Sequence, residues 1–256
     1  MTINEYFYKL QKFVMLTEDI ISTNGKNFMI PPVRKIIFFT VENIPIRTAG
    51  HLTKGLNKVI KLCGRGGLII HTIFMDMNFE KMADMLVKIE ARITAAREHV
   101  GEVERKIRTA KVCGRLIINA LPHYCLSTKI NIHLVSFLIM WLNALPSGNG
   151  ISQKYSPREI VTELNLGFKK NCKVGFGSYV ESHYEPNITN NVNIMTPGCI
   201  GLIPTVNIKV TQKVFCLKSG GVLKRRNLIP MIEPYQIINK FNYWCKKPKI
   251  ERYENT

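Results

Sequence analysis

Apolar positions along the chain recur with two different periods, and the change of period separates strands from helices. Residues 12–22 (KFVMLTEDIIS) predict a mostly apolar strand ending near Asp19, and residues 36–41 (IIFFTV) a second, β-branched and aromatic. Phe28-Met29-Ile30 adds a third, cut short by Pro31-Pro32. Proline donates nothing to a sheet ladder, so an edge or damaged strand is expected there. Residues 53–62 (TKGLNKVIKL) have helical spacing up to the break Gly64-Arg65-Gly66-Gly67. Leu68 to Met75 (LIIHTIFM) is the strongest strand signal and delivers Asp76 at its C-terminal end. Strands alternating with helices in this way predict an α/β domain.

Residues 95–121 predict a long helix in which Val100, Val103, Ile107, Ala110 and Ile117 form an apolar stripe. Arg97, Glu104, Arg108, Lys111 and Arg115 fall on another face, cationic with one acid embedded in it. A solvated face with a Glu104–Arg108 pair at i,i+4 accounts for the same pattern without any function. Residues 131–144 predict a buried helix. After the loop Pro146 to Gly150, Ser156-Pro157-Arg158-Glu159 has the form of a capping box opening a helix to about Leu164. From Phe176 onward, short apolar runs (GSYVE, CIGLI, KVFCL, GVLKRRNLI) separated by Asn, Gly and Pro predict a small all-β module.

Charge narrows the set of partners. Lys and Arg number 36 against 18 Asp and Glu, a formal net charge of +18 spread through 256 residues. Self-repulsion on this scale is relieved by a polyanion. Nucleic acid comes first, because phosphate neutralisation supplies sequence-independent affinity. An anionic membrane surface is the rival, but the longest apolar run, Ile130 to Leu145, contains Asn131, His133, Ser136 and Asn143. It is too short and polar to span a bilayer, so no membrane partner is expected. The first residues lack the charged and apolar regions of a signal peptide. Seven scattered cysteines, never spaced C-x-x-C, argue against a disulfide framework or zinc knuckle and fit reduced thiols inside a cell.

Candidate chemistry rests on acids. The chain has three aspartates, Asp19, Asp76 and Asp84, and two of them end apolar strands. Strand ends in α/β domains project into a shared crevice. With Glu104 from the helix, Asp19 and Asp76 could form a carboxylate cluster suited to hard divalent cations. Caps or pairs with neighbouring arginines would use the same acids structurally, and spacing alone leaves both readings open.

The segment 95–108 (AAREHVGEVERKIR) resembles the block that carries the last catalytic glutamate of copia-type LTR retrotransposon integrases, with Gly101, Glu104, Arg105 and Arg108 matching. Residues 141–161 (WLNALPSGNGISQKYSPREIV) are similar to the same family, in the lineage of diatoms and related protists. FGSYVESH (176–183) and TPGCIGLIPTVN (196–207) resemble its small Src-homology-3-like barrel. FMDMNFE (74–80) and LTEDIIS (16–22) fit the two aspartate blocks by their order. The resemblance implies an RNase H-like integrase core over residues 1–168, a mixed five-stranded sheet flanked by helices. A β-barrel DNA-binding module over 169–235 would follow, and the polar composition of the remainder, with Lys246, Lys247, Lys249 and Arg252, predicts a basic, disordered tail over 236–256.

On that resemblance, Asp19, Asp76 and Glu104 are catalytic and bind two Mg²⁺ (or Mn²⁺) ions, which activate water for end processing and a DNA 3′-hydroxyl for strand transfer. Arg97, Arg105, Arg108, Lys111 and Arg115, with Lys224, Arg225 and Arg226 of the barrel, hold element ends and target DNA through phosphates. An intracellular, nuclear location follows, and a homo-oligomer is compatible but not required. No His-Cys set of the family's zinc domain precedes the first strand. Three features depart from the pattern. The gap from Asp76 to Glu104 (104 − 76 = 28) is short, Met77 stands where glycine or asparagine is usual, and Pro31-Pro32 interrupts a strand. Two functions therefore stand side by side: a metal-dependent polynucleotidyl transferase, and a catalytically inactive DNA-binding relic. A ribonuclease H is disfavoured by the trailing barrel.

The charge alone generates a test. If about four phosphates are neutralised, affinity for a random-sequence duplex should fall about 100-fold between roughly 50 and 200 mM salt. Fluorescence anisotropy measures this, and an affinity flat across that range would exclude phosphate-driven binding.

Overall fold

A computed structural model describes residues 13–17, 20–23, 26–33, 36–76, 79–83, 89–94, 101–123, 125–148, 150–183, 196–205 and 210–246. The chain forms two compact units, one of residues 1–114 and 135–166, the other of 115–134 and 167–256. Residues 115–134, expected in the first domain, fall in the second unit.

The first unit contains β1 (Phe13–Thr17), β2 (Ile20–Thr23), β3 (Lys26–Met29), β4 (Pro32–Val33), β5 (Phe38–Phe39) and β6 (Glu42–Ile44). Helix α1 (Ala49–Arg65), β7 (Ile69–Asp76), the short α2 (Glu80–Ala83) and β8 (Glu90–Thr94) follow. Helices α3 (Gly101–Ala120) and α4 (Thr128–Ala144) each contribute residues to both units, and α5 (Pro157–Thr162) completes the first. One sheet has the order β5-β4-β1-β7-β8, and a smaller one the order β2-β3-β6. In the larger sheet β1, β7 and β8 are parallel, whereas β4 pairs antiparallel with both β1 and β5. The α/β texture read from the sequence is therefore realised as a mixed sheet.

Three local expectations are corrected. The strand expected over 12–22 is two strands in different sheets, separated by residues 18–19, which lie outside the described set. Pro32 is not on an edge, because β4 lies between β1 and β5. The segment needs few donors: Pro31 accepts from both the amide and the hydroxyl of Thr40, and Val33 accepts from the amide of Ile37. The strand expected over 36–41 shrinks to Phe38–Phe39, because Pro32 pairs with Phe39 and the chain must reverse between them. Ile36 and Ile37 make that turn, and Ile37 takes a left-handed φ of 58°. Such a conformation costs a β-branched residue about 1–2 kcal/mol. Burial of both isoleucines, at 2% and 8% exposure, offsets it and explains why an apolar turn looked like a strand.

The core of this unit packs Leu52, Leu56, Val59 and Cys63 of α1 against Ile70, Ile73 and Met75 of β7 and Val33 and Phe38. These helical residues recur at intervals of four, three and four, one face of the helix. Two glycines permit close approach. A Cβ on Gly55 would lie 2.9 Å from Met29 Cε, and one on Gly66 would lie 2.1 Å from the Val161 carbonyl oxygen. Helix α5 has the predicted capping box, with Ser156 Oγ accepting from the Glu159 amide and Glu159 Oε2 accepting from the Ser156 amide. It stops at Thr162, because Glu163 adopts φ 56° as C-cap.

The second unit contains α6 (Phe168–Asn171), β9 (Tyr179–Ser182), β10 (Gly198–Pro204), β11 (Gln212–Cys216), β12 (Val222–Arg225), β13 (Leu228–Pro230) and α7 (Tyr235–Lys246). Its strands form an antiparallel sheet of order β12-β11-β10-β9-β13. Val180, Cys199, Val214 and Cys216 pack together as its core. The tail expected to be disordered from 236 is helical to Lys246, and residues 247–256 lie outside the described set. The reason is Phe241, 1% exposed, which lies 6.3 Å from Phe215 and 4.2 Å from the His123 ring between centroids. One aromatic anchor outweighs the polar composition that suggested disorder.

Asn143 generates a stability test. Its Oδ1 accepts from the Phe39 amide at 2.8 Å and its Nδ2 donates to the Phe39 carbonyl at 2.6 Å, all buried. Asn143→Ala strands both backbone groups and should cost about 2–4 kcal/mol in chemical denaturation. A loss below about 1 kcal/mol would show that water replaces the amide.

Candidate functional site

Strand polarity sets where the chain segments carrying the candidate acids end. Strands β1 and β7 run parallel with Thr17 opposite Phe74, so their C-terminal ends share one edge of the sheet. Asp76 closes β7, two residues beyond Phe74 and opposite Thr94 of β8. Asp19 is likewise two residues beyond Thr17 in sequence, although it lies outside the described residues, as do Asp84 and Arg97. Glu104 is in the first turns of α3, described by its backbone. Among the described residues no three His, Cys, Asp or Glu side chains are grouped to hold a metal.

The cationic positions of α3 are better defined. Arg105, Arg108, Lys111 and Arg115 are exposed, while Ile107 and Ala110 are 7% and 6% exposed. With 3.6 residues per turn, the four cations fall within an arc of about 120°. On the buried side Gly114 faces Leu138 of α4, whose Cδ1 would lie 3.1 Å from a Cβ there. Among the described side chains none of the four cations pairs with a carboxylate. The apolar stripe thus anchors the helix and leaves its basic face in solvent.

In the second unit Lys224 and Arg226 are exposed and Arg225 is half-buried. Lys213 of β11 sits directly opposite Lys224 of β12. Like charges at opposed cross-strand positions are destabilising unless counter-charge is supplied. Lys173 and Arg226 also line a pocket of about 300 Å³ with Asn171, Thr211 and Asn227, and among the described residues no acid borders it. Burial first, and Lys213 second, push the nearby His133 down to about 4, so it stays uncharged near neutral pH and adds nothing to this field.

Over 58% of this chain and 93% of the other, the fold is similar to the catalytic core domain of BIV integrase, at 16% sequence identity and a TM-score of 0.43. No family model matches the chain, and no curated protein matches it.

Sequence reasoning found the Lys224-Arg225-Arg226 run but missed Lys173 and Lys213. Neither belongs to a basic run as dense as residues 224–226, and only the β11–β12 register makes Lys213 a neighbour of Lys224. No helix among the described residues is long and apolar enough to cross a membrane.

The exposed helix face generates a clean test. Replacing Arg105, Arg108 and Lys111 together by alanine should leave the melting temperature within about 2 °C, since exposed unpaired cations contribute little to stability. The slope of log affinity for duplex DNA against log salt should become shallower by about 3. An unchanged slope would remove this face from the interface.

Proposed function

We propose that the chain is the integrase region of a copia-type LTR retrotransposon, of the lineage in diatoms and related protists, joining element ends to target DNA by divalent-metal-dependent phosphoryl transfer. The observation that carries this reading is the order and polarity of the larger sheet. Parallel β1 and β7 direct Asp76, and the chain leading to Asp19, to the same edge. That arrangement supports the RNase H-like core implied by the resemblance, and the antiparallel five-stranded sheet of the second unit supports its Src-homology-3-like barrel.

Asp19, Asp76 and Glu104 supply only carboxylate oxygens, a donor set that fits a hard cation such as Mg²⁺ or Mn²⁺. When bound, two such ions activate an attacking oxygen and stabilise a leaving one. The chain's own residues do the rest. The ladder of β7 with β1 and β8 fixes where Asp76 stands. The basic face of α3 holds phosphates and so keeps a DNA end in register, while Lys224, Arg225 and Arg226 offer a second set of contacts. Function on chromosomal DNA places the protein in the nucleus, and self-association is compatible with this reading.

A DNA-binding relic is the second reading, favoured by the 28-residue interval between Asp76 and Glu104 and by Met77 after the second aspartate. The two separate in a strand-transfer assay paired with thermal melts of wild type and Glu104→Gln. An active site gives Mg²⁺-dependent joining, and Mg²⁺ raises the wild-type midpoint by a few degrees through mass action. Both responses should vanish in the variant. Without metal the variant should be as stable as wild type or more so, because clustered carboxylates repel. Salt-sensitive DNA binding with no metal response in either protein establishes the relic. Equal metal-induced shifts would remove Glu104 from the site.

A further inference from the structure

We propose that Cys199 and Cys216 form a peroxide-sensitive dithiol, a reversible oxidation site in the second unit that closes to a disulfide across β10 and β11. The two residues are direct cross-strand partners in the antiparallel ladder. The Leu217 amide donates to the Gly198 carbonyl at 3.1 Å, which makes 198/217 the hydrogen-bonded pair and 199/216 the adjacent non-hydrogen-bonded one. Residues so opposed have Cα atoms about 4.5 Å apart and side chains on one face, within the range a disulfide spans. Both thiols are buried, at 0% and 4% exposure, and they interact directly.

The two sulfurs are not equivalent. Burial raises the Cys216 thiol, but donation from the Ser219 hydroxyl and from the amides of Ser219 and Lys218, with the Cys199 thiol, outweighs it and holds Cys216 below its ordinary value. The turn is arranged for this: Ser219 Oγ accepts from the Gly221 amide at 3.3 Å, which leaves its proton for the sulfur. Cys199 is instead pushed up to about 11, chiefly by burial, with Ser182 Oγ 3.2 Å away and the Pro197 carbonyl accepting from its thiol at 3.5 Å. Cys216 is therefore the attacking thiolate and Cys199 the resolving thiol.

The chemistry balances with a hydroperoxide as oxidant. Cys216 thiolate attacks one oxygen of H₂O₂, an S–O bond forms, the O–O bond breaks, and hydroxide leaves and takes up a proton. The Cys199 sulfur then displaces water from the resulting sulfenic acid as the S–S bond forms. In sum two thiols and one H₂O₂ give one disulfide and two waters. Burial restricts access to small oxidants of this kind, and an external thiol reverses the step.

The test is made on the full chain. Wild type is treated with dilute H₂O₂, quenched and alkylated, and its disulfides are mapped by mass spectrometry. We expect loss of two hydrogens, a linkage joining the Cys199 and Cys216 peptides, and full reversal by dithiothreitol. The Cys125–Cys245 pair is an internal control. Its thiols also interact, but Cys125 lies in a loop and Cys245 on α7, so no ladder sets the two opposite each other and the Cys199–Cys216 linkage should form first. In Cys199→Ser the resolving thiol is gone, and a dimedone adduct should accumulate on Cys216. Oxidation of folded wild type that leaves both residues as free thiols, or that links Cys125 to Cys245 first, would overturn the proposal without any variant having to fold.

Discussion

The parallel pairing of β1 with β7 is the constraint on which the first unit depends. Parallel strands cannot be joined by a tight hairpin, so the chain between them must cross over and return. Here the crossover contains the β2-β3-β6 sheet and α1. Close approach at Gly55 lets α1 pack on Met29 and Ile44, and close approach at Gly66 lets its end meet α5. On its other side β1 recruits β4, a strand of two residues in which Pro32, with Pro31 just before it, donates nothing to the ladder. Without β1 the sheet would fall into two separate pairs, β4 with β5 and β7 with β8.

Polar ties inside apolar surroundings then fix details that hydrophobic burial leaves free. Asn143 clasps the amide and carbonyl of Phe39 and so pins the edge strand β5 to helix α4. Hydrophobic contact is non-directional, whereas an amide satisfying two backbone groups specifies both position and orientation. In the second unit Phe241 does the anchoring for α7, and the turn after β11 supplies the directional contacts, aimed at a sulfur. Apolar area stabilises each unit, and a few hydrogen bonds select among similar ways of burying it.

The excess of positive charge runs against stability. A net charge of +18 and the opposed Lys213 and Lys224 both disfavour the compact state unless an anion is at hand. The cations of α3 follow the same logic, since they face solvent while Ile107 and Ala110 face inward. A helix stabilised through its apolar stripe can carry exposed like charges at small cost, and those charges remain free to meet phosphate.

The amino-acid sequence by itself determined the features that are local or periodic. The strand ending at Asp76, the stripe of Ile107 and Ala110, the capping box of α5 and the short-strand texture after Phe176 all follow from a few neighbouring residues. Net charge pointed to a polyanion for the same reason: composition survives folding unchanged. Only the tertiary structure decided what depends on residues far apart in the chain. The apparent strand over 36–41 became a turn at Ile36 and Ile37 followed by a two-residue strand, because apolarity records burial and not conformation, and only the pairing of Pro32 with Phe39 reveals the reversal. The disordered-looking tail became a helix through one distant aromatic contact. Seven scattered cysteines showed no pairing in sequence; strand register set Cys199 against Cys216, because a ladder relates residues through a hairpin rather than by a fixed spacing.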